Sequence, residues 1–307
     1  MENLYTEAHA VSKLHEETEF LCEYRLKELN EDLHRRYRNS VFVIDRLLTN
    51  YKLVFPFFTN HTFEHSAQVI NYCNALLGRE NAVRLNADEL YILLMGASLH
   101  DIGMGVSESD CHAFSKRIPG AEKYLAEHPE AQIGDVTRTF HHEFSAEFIK
   151  KYKDLFEIPS AEHTYCIAQV ARGHRKLDLL DEREFNPHYT LADGTIVRLP
   201  YLVALVRLAD ELDLGADRNL LFDADDLQDD CSGFTRICFL CHKAVPKLDF
   251  DGGRITVYYQ TDDPAVYEEL MNLNGKVQKT FGEFADVVRQ RTDFKLRQQE
   301  AVFERLT

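Results

Sequence analysis

The 307-residue chain lacks an apolar run long enough to span a bilayer, and its first residues, Met-Glu-Asn-Leu-Tyr, do not show the basic-then-apolar pattern of a signal peptide. Its seven cysteines have no regular spacing. No internal repeat or low-complexity tract is present. These absences argue against a membrane protein, a disulfide framework and a solenoid, and we therefore expect a cytoplasmic protein with reduced thiols.

The chain is also short of positive charge. Its 35 Lys and Arg residues face 51 Asp and Glu residues, which gives a formal net charge of -16. Such a surface repels a polyanion, so we do not expect long DNA or RNA as a substrate. A small nucleotide remains compatible, because a bound metal reverses the local field.

Four residues are present that form a candidate metal site: His65, the adjacent His100 and Asp101, and the distant Asp210. Imidazole nitrogens and carboxylate oxygens are ligands for Mn²⁺, Fe²⁺, Ni²⁺, Mg²⁺ and Zn²⁺. The absence of a thiolate among them argues against a structural zinc site. The pattern leaves open which of these divalent ions binds, and whether one or two do.

The setting of the His-Asp pair strengthens this interpretation. Residues 86–99 begin with Asn86, followed three residues later by Glu89, which is a capping pattern, and then run apolar on most faces. The segment predicts a buried helix that delivers His100 and Asp101 into the interior.

Asp210 has a similar setting, because the apolar residues 202–209 follow Pro200 and predict a second buried helix that leads to it. An isolated carboxylate in such a place costs several kcal/mol unless it is paired or binds a metal. The alternative to a metal is a salt bridge to Arg207 or to another arginine.

The order of a His, a His-Asp pair and a distal Asp resembles the HD-domain metal-dependent phosphohydrolase superfamily. The matching strings are residues 65–69, 99–103 and 208–213, and the resemblance covers about residues 41–225. It implies a helical HD core and a metal-activated hydroxide. That hydroxide cleaves a phosphoester or phosphoanhydride bond of a small, nucleotide-like molecule.

The resemblance also points to two further histidines, at positions where metal-rich HD proteins carry catalytic or second-metal ligands. His141 is the better match of an adjacent pair, with His142 as the alternative, and His174 is the other. A lone histidine at a helix end, such as His174, is more often a partner of the helix dipole. If both bind, Asp101 bridges two ions about 3.5 to 4 Å apart, and Asp101, His141 and His174 are the predicted catalytic residues.

The substrate's negative charge then calls for cationic side chains. Arg175, Lys176 and Arg218 are the basic residues nearest in sequence to the expected ligands, although ordinary surface solvation is the alternative for each. His61 lies four residues before His65 and shares its helix face if the helix starts that early. It orients a water or a phosphate in that case, or else caps the helix.

We expect a mainly α protein in three parts: an N-terminal helical segment at residues 1–40, the HD core at 41–225 and a small α+β region at 232–307. The first segment covers the core or a partner subunit, and the third closes the core or mediates homo-oligomerisation. A packing stripe in the first segment is predicted to comprise Tyr5, Leu14, Phe20, Leu21, Leu26 and Leu29.

Two segments within the core are candidates for covering the site. Residues 106–135 form a long, largely polar insertion that is expected to be either a lid or a solvated spacer. Asp193-Gly194 predicts a hairpin turn between residues 189–191 and 195–199, which could form a flap beside the site.

In the last region, residues 235–240 favour a strand. Cys238–His242 matches the c-type haem attachment string, but that chemistry requires export, so we interpret Cys238 as a small apolar strand residue. The alternation at residues 255–259 predicts another strand. Helices are expected from about Pro264 to the end.

Three functions are therefore compatible with the sequence. The first is a phosphohydrolase acting on a nucleotide or similar small phosphoester. The second is a mixed-valent di-iron oxygenase, because the HD scaffold resembles those enzymes as well. The third is a signalling or scaffold module in which the metal is only structural.

Overall fold

The computed structural model describes residues 22–56, 59–175, 177–219, 233–251 and 253–306. Over these residues the protein is mainly α-helical with two small β-sheets, as expected. The helices are α1 (Cys22–Leu29), α2 (Glu31–Leu48), α3 (Tyr51–Val54), α4 (Phe63–Ala82), α5 (Ala87–Leu99), α6 (Glu108–Ser115), α7 (Pro119–Glu127), α8 (Ile133–Lys151), α9 (Ala161–Gly173), α10 (Leu199–Glu211), α11 (Gly233–Lys243) and α12 (Pro264–Arg291). The strands are β1 (Tyr189–Thr190), β2 (Ile196–Val197), β3 (Lys247–Asp251), β4 (Arg254–Tyr259) and β5 (Glu300–Arg305).

Helix α5 forms the centre of the core. Its start is fixed by the expected capping box, in which Asn86 Oδ1 accepts the Glu89 N–H and the Glu89 carboxylate accepts the Asn86 N–H. All residues from Glu89 to Leu99 are buried, and α5 contacts α1, α2, α4, α9 and α10. Among the described residues no single helix is both long and apolar enough to cross a membrane. The segment Ala87–Gly105, which contains α5, passes that test only together with α6, from which it is bent by 104°.

The C-terminal sheet has the strand order β3-β4-β5, with β4 antiparallel to β3 and parallel to β5. Ile255, Val257 and Tyr259 are buried in β4, which confirms the predicted strand, although Thr256 between them is buried as well. The expectation that the chain ends in helices is wrong in its last part, because α12 is followed by β5. A parallel strand pair needs a long crossover connection, and α12 provides it between β4 and β5.

Residues 235–240 do not form the expected strand but lie in α11. The apolar run is too short for periodicity to separate strand from helix, and packing against α12 favours the helix. Phe239 and Cys241 are buried in that packing, and Cys238 is a half-buried helical residue. The C-terminal region also packs on the core through Tyr201 of α10, whose ring lies 6.3 Å from that of Phe284 of α12.

The long insertion is also helical rather than a loop. Residues 106–135 contain α6 and α7, which pack on α8 around a small hydrophobic cluster of their own. In the N-terminal stripe Leu26 is buried, whereas Leu29 is 43% exposed, so its inclusion was wrong. The other four predicted members of that stripe, at positions 5, 14, 20 and 21, lie outside the described residues.

Candidate metal centre

Six side chains meet beyond the C-terminal end of α5, in two groups of three. The first group is His65, His100 and Asp210, and the second is Asp101, His141 and His174; within each group the possible ligand atoms all lie within 4.8 Å of one another. Five of the six residues are buried and Asp210 is half-buried. The structure thus brings together the six residues that the sequence predicts as metal ligands, and the two groups could hold metal ions.

In the first group the donor atoms are closely spaced. The Nε2 atoms of His65 and His100 are 3.0 Å apart. Oδ1 of Asp210 lies 3.3 Å from the first of these nitrogens and 3.6 Å from the second. Two ligand atoms that bind one ion at about 2.1 Å and at right angles are about 3.0 Å apart, so these separations fit the edges of a coordination shell.

Asp101 links the two groups through its two oxygens. Its Oδ1 lies 3.6 Å from Nε2 of both His141 and His174, and these two nitrogens are 3.1 Å apart. Its Oδ2 lies on the other side, 3.2 Å from Nε2 of His100 and 3.5 Å from Nε2 of His65. This is the arrangement that a carboxylate bridging two ions requires.

Each of the four imidazole rings is oriented by a hydrogen bond from Nδ1, the nitrogen that is turned away from the possible metal position. Nδ1–H of His100, His141 and His174 donates to the backbone carbonyl three residues earlier, at 2.8, 3.0 and 2.5 Å respectively. Nδ1–H of His65 donates to the Asp213 carboxylate at 2.6 Å. Each bond leaves an Nε2 lone pair directed at the group. Lone pairs that meet at about 3 Å repel one another unless a proton or a metal ion lies between them, so the donor set fits a metal ion that replaces protons.

The two acidic ligands are held as carboxylates. Burial raises their pKa, but the neighbouring His100 and His65 outweigh it and keep the pKa of both Asp101 and Asp210 well below the usual range. Burial also keeps the pKa of His174 well below its usual value. For His65 burial acts in the same direction, yet hydrogen bonds to three carboxylates raise its pKa to about 9. The pKa of His100 is also raised well above its usual value, by Asp101 and Asp210, against the effect of burial. Without a metal, protonated His65 and His100 balance the two carboxylates, and a divalent ion would replace those protons.

A close backbone approach sets the distance between Asp101 and His141. In the 3-10 turn Ile102–Gly105, a Cβ on Gly103 would lie 2.1 Å from the His141 carbonyl oxygen and 2.6 Å from the Ser145 nitrogen. Ser145 Oγ donates to the His100 carbonyl and accepts the Gly103 N–H. Only glycine allows the turn to lie this close to α8.

We expect Gly103→Ala to destabilise the protein by about 1–3 kcal/mol, the usual range for overpacking, because the turn must move away from α8. The same movement separates Asp101 from His141 and weakens binding of a second ion. Urea unfolding and the metal content per chain measure the two effects. Gly275→Ala is the control, since a Cβ there meets nothing within 4 Å. Equal stability of the two variants would contradict the prediction.

Arg207 holds the backbone on both sides of His174. Its guanidinium donates to the carbonyls of Gly173, Arg175 and Leu177 at 2.8 to 2.9 Å, and it forms a 2.8 Å ion pair with Glu283. The alternative of a salt bridge between Arg207 and Asp210 is therefore wrong. The carboxylate of Asp210 instead contacts His65 and His100.

A pocket of about 280 Å³ opens over the two groups. Its apolar wall is formed by α11 and α12 through Cys238, Phe239 and Leu273. Four cationic side chains line it, from Arg138, Arg175, Arg218 and Lys276, together with the acidic Glu211 and Glu269. The C-terminal region is therefore part of the pocket.

The HD-CE family model matches residues 55–291, which is more than half of the chain and includes all six residues of the two groups. The chain belongs to the HD-CE family. A search of curated protein sequences finds no significant match.

Of the four predicted substrate-binding residues in this HD-CE protein, His61, Arg175 and Arg218 line the pocket, whereas Lys176 lies outside the described residues. His61 does not share a helix face with the metal group, because α4 begins only after it. Its Nδ1–H donates to the Thr59 carbonyl, and Arg218 donates to its Nε2 at 3.1 Å. Burial lowers the pKa of His61 to about 3 and keeps the ring neutral.

Sequence reasoning missed two residues close to the ligands. Asp213 orients His65 and accepts a 3.1 Å bond from Arg218. Its place in the string 208–213, which carries the resemblance and contains Asp210, was the available signal. Lys276 lines the pocket from α12, and no local pattern links it to the ligands.

Two other expectations about the surroundings were wrong. The hairpin β1–β2 is present, but it lies at the opposite end of α5, where Asn86 donates to the Ile196 carbonyl, and so it is no flap. The described residues of the 106–135 insertion do not line the pocket, and so they form no lid.

Of the adjacent histidines, His141 and not His142 belongs to the second group.

Proposed function

We propose that this HD-CE protein is a metal-dependent phosphohydrolase acting on a small, nucleotide-like phosphorylated compound. The observation that carries the proposal is the position of Asp101 between two His/Asp groups at the floor of a pocket that four cationic side chains also line. Buried carboxylates and imidazoles whose Nε2 atoms converge suit divalent metals, and guanidinium groups suit phosphate oxygens. A pocket of about 280 Å³ suits a small molecule rather than a polymer.

The reaction would be hydrolysis of a P–O bond. Divalent ions at the two groups would supply a water of pKa near 7 and polarise a phosphoryl oxygen. The oxygen of that water bonds to phosphorus, and the leaving oxygen departs with a proton. Asp101 would hold both ion positions together, while Asp213 and the backbone carbonyls keep each Nε2 in place.

Arg218 would contribute to phosphate binding at the His65 end. It is held there by Asp213 at 3.1 Å, and its Nη2 donates to His61. A guanidinium fixed in this way loses little freedom when it binds an anion. Arg175 would act at the other end, beside His141, whose pKa is lowered by burial and by nearby positive charge.

The experiment uses chelator-treated protein reloaded with Mn²⁺ and assayed under nitrogen. The panel contains bis(p-nitrophenyl) phosphate, p-nitrophenyl phosphate, nucleoside mono- and triphosphates, and cyclic mono- and dinucleotides. Products are read by mass spectrometry in ¹⁸O-labelled water. We expect metal-dependent turnover with ¹⁸O in the released phosphate group. Silence across the panel would contradict the proposal, and oxygen consumption by the iron-loaded protein would favour the oxygenase instead.

A further inference from the structure

We propose that a second cavity of this protein binds a linear aliphatic amine, independently of the proposed function. The second cavity has a volume of about 600 Å³ and shares no lining residue with the pocket over the metal centre. Its apolar wall includes Leu53, Val54, Ile102, Val106, Phe148 and Leu155. Small-molecule sites commonly have about 300 to 1,000 Å³ and a mostly apolar lining, so the second cavity has the size and character of such a site.

The second cavity follows α8 and is elongated. Ile133 at the start of α8 and Phe148 near its end both line the cavity. They are 15 residues apart in the sequence, which corresponds to about 22 Å along the helix axis. The 3-10 turn meets α8 between these two residues and lines the cavity through Ile102 and Gly105. A linear chain fits such a shape better than a compact ring system.

The edge of the second cavity exposes apolar side chains. Leu53 is 84% exposed and Leu155 is 48% exposed, and both line the cavity. Exposed apolar surface beside a cavity is typical of ligand-binding grooves. An aliphatic chain that lies against the two leucines would remove their apolar surface from water, which favours binding.

The charges of the second cavity favour a cationic head group. Its charged lining residues are Glu108 and Asp110, and within the described part of the chain no Lys, Arg or His lines it. Asp110 is already compensated, because its carboxylate accepts a 2.5 Å bond from Lys151 and a 3.0 Å bond from the Tyr152 hydroxyl. Glu108 forms no salt bridge with any described residue. One ammonium group would neutralise Glu108, whereas a carboxylate on the ligand would be repelled by it.

The first test compares three head groups on one aliphatic chain. Calorimetry of the Mn²⁺-loaded protein with octylamine, octanol and octanoate needs no turnover, so its outcome does not depend on phosphohydrolase activity. We expect one octylamine to bind per chain, octanol to bind more weakly and octanoate to bind most weakly. Octanoate binding as tightly as octylamine, or no binding of octylamine, would overturn the inference.

The second test asks which carboxylate the ammonium group contacts. We expect Glu108→Gln to raise the Kd of octylamine about 3-fold, as for an exposed ion pair, and to leave the Kd of octanol unchanged. Glu269→Gln is the matched control, because it removes a carboxylate that lines the pocket over the metal centre. If Glu269→Gln weakens octylamine and Glu108→Gln does not, the amine occupies the other pocket and the inference fails.

The third test concerns the aliphatic chain. Leu53→Ser should raise the Kd of octylamine and of octanol alike, by about 3-fold, because it removes apolar surface at the edge of the second cavity. Leu29→Ser is its control, since Leu29 is also an exposed leucine, at 43%, but lies on α1 and does not line the cavity. Equal Kd values for these two variants would show that the chain does not lie in the second cavity.

Discussion

Asp101→Asn is expected to lower kcat/KM by at least about 10³-fold with any substrate that the wild-type protein hydrolyses. The amide keeps the size of the side chain but removes its negative charge, and it replaces one oxygen by an NH2 group that donates hydrogen bonds. Both oxygens of Asp101 face imidazole nitrogens at 3.2 to 3.6 Å. In either orientation of the amide, an NH2 group therefore replaces the oxygen that faces one of the two His/Asp groups. Steady-state kinetics and metal content per chain measure the loss.

The control is Asp286→Asn, which changes a 49% exposed carboxylate on α12 and should leave both quantities unchanged. The melting temperature of Asp101→Asn is the decisive companion measurement. If the metal were only structural, this variant would melt far below the wild-type protein. A stable but inactive Asp101→Asn supports catalysis, and a stable variant with wild-type kcat/KM would contradict the bridging role.

Glu89→Gln is expected to destabilise the protein by about 3 kcal/mol. Glu89 is fully buried at the start of α5, where it accepts a 2.7 Å bond from Arg198 Nε and a 3.0 Å bond from the Arg198 N–H. Removing one partner of a buried ion pair leaves the other charge uncompensated, which costs about 3–5 kcal/mol. The 21% exposure of the Arg198 side chain places the effect at the low end of that range.

Urea unfolding measures this loss, and Glu80→Gln is the matched control. Glu80 pairs with Lys295 at the surface, with side chains 60% and 71% exposed, so its change should cost less than about 1 kcal/mol. Because Glu89 lies at the opposite end of α5 from His100, the kcat of folded Glu89→Gln should match the wild type. Equal unfolding free energies for the two variants would show that the buried pair contributes little.

The parts of the fold that could be predicted are those with local signals. Asn86, Glu89 and the apolar run that follows determine α5 without help from the rest of the chain. Residues 106–135 also contain a helical pattern, although no helix was predicted there. Cys111, Phe114 and Ile118 recur at helical spacing, and all three are buried between α6, α7 and α8.

The rest could not be predicted because it depends on tertiary packing. The segment around Cys238 has a short apolar run that suits a strand, and only its contact with α12 makes it helical. Similarly, the six candidate ligands could be identified through a resemblance, but Lys276 reaches the pocket only because α12 packs against α10. The residues of the candidate metal centre could therefore be identified from the sequence, while those of the pocket wall could not.

The most direct test is a Mn²⁺ titration of metal-free protein followed by electron paramagnetic resonance. A carboxylate shared between two adjacent ions couples their unpaired spins. We expect two Mn²⁺ per chain and a spectrum of an exchange-coupled pair, which Asp101→Asn converts to that of isolated ions. Binding of one ion or none, or of two ions with no coupling, would contradict a centre in which Asp101 joins the two His/Asp groups.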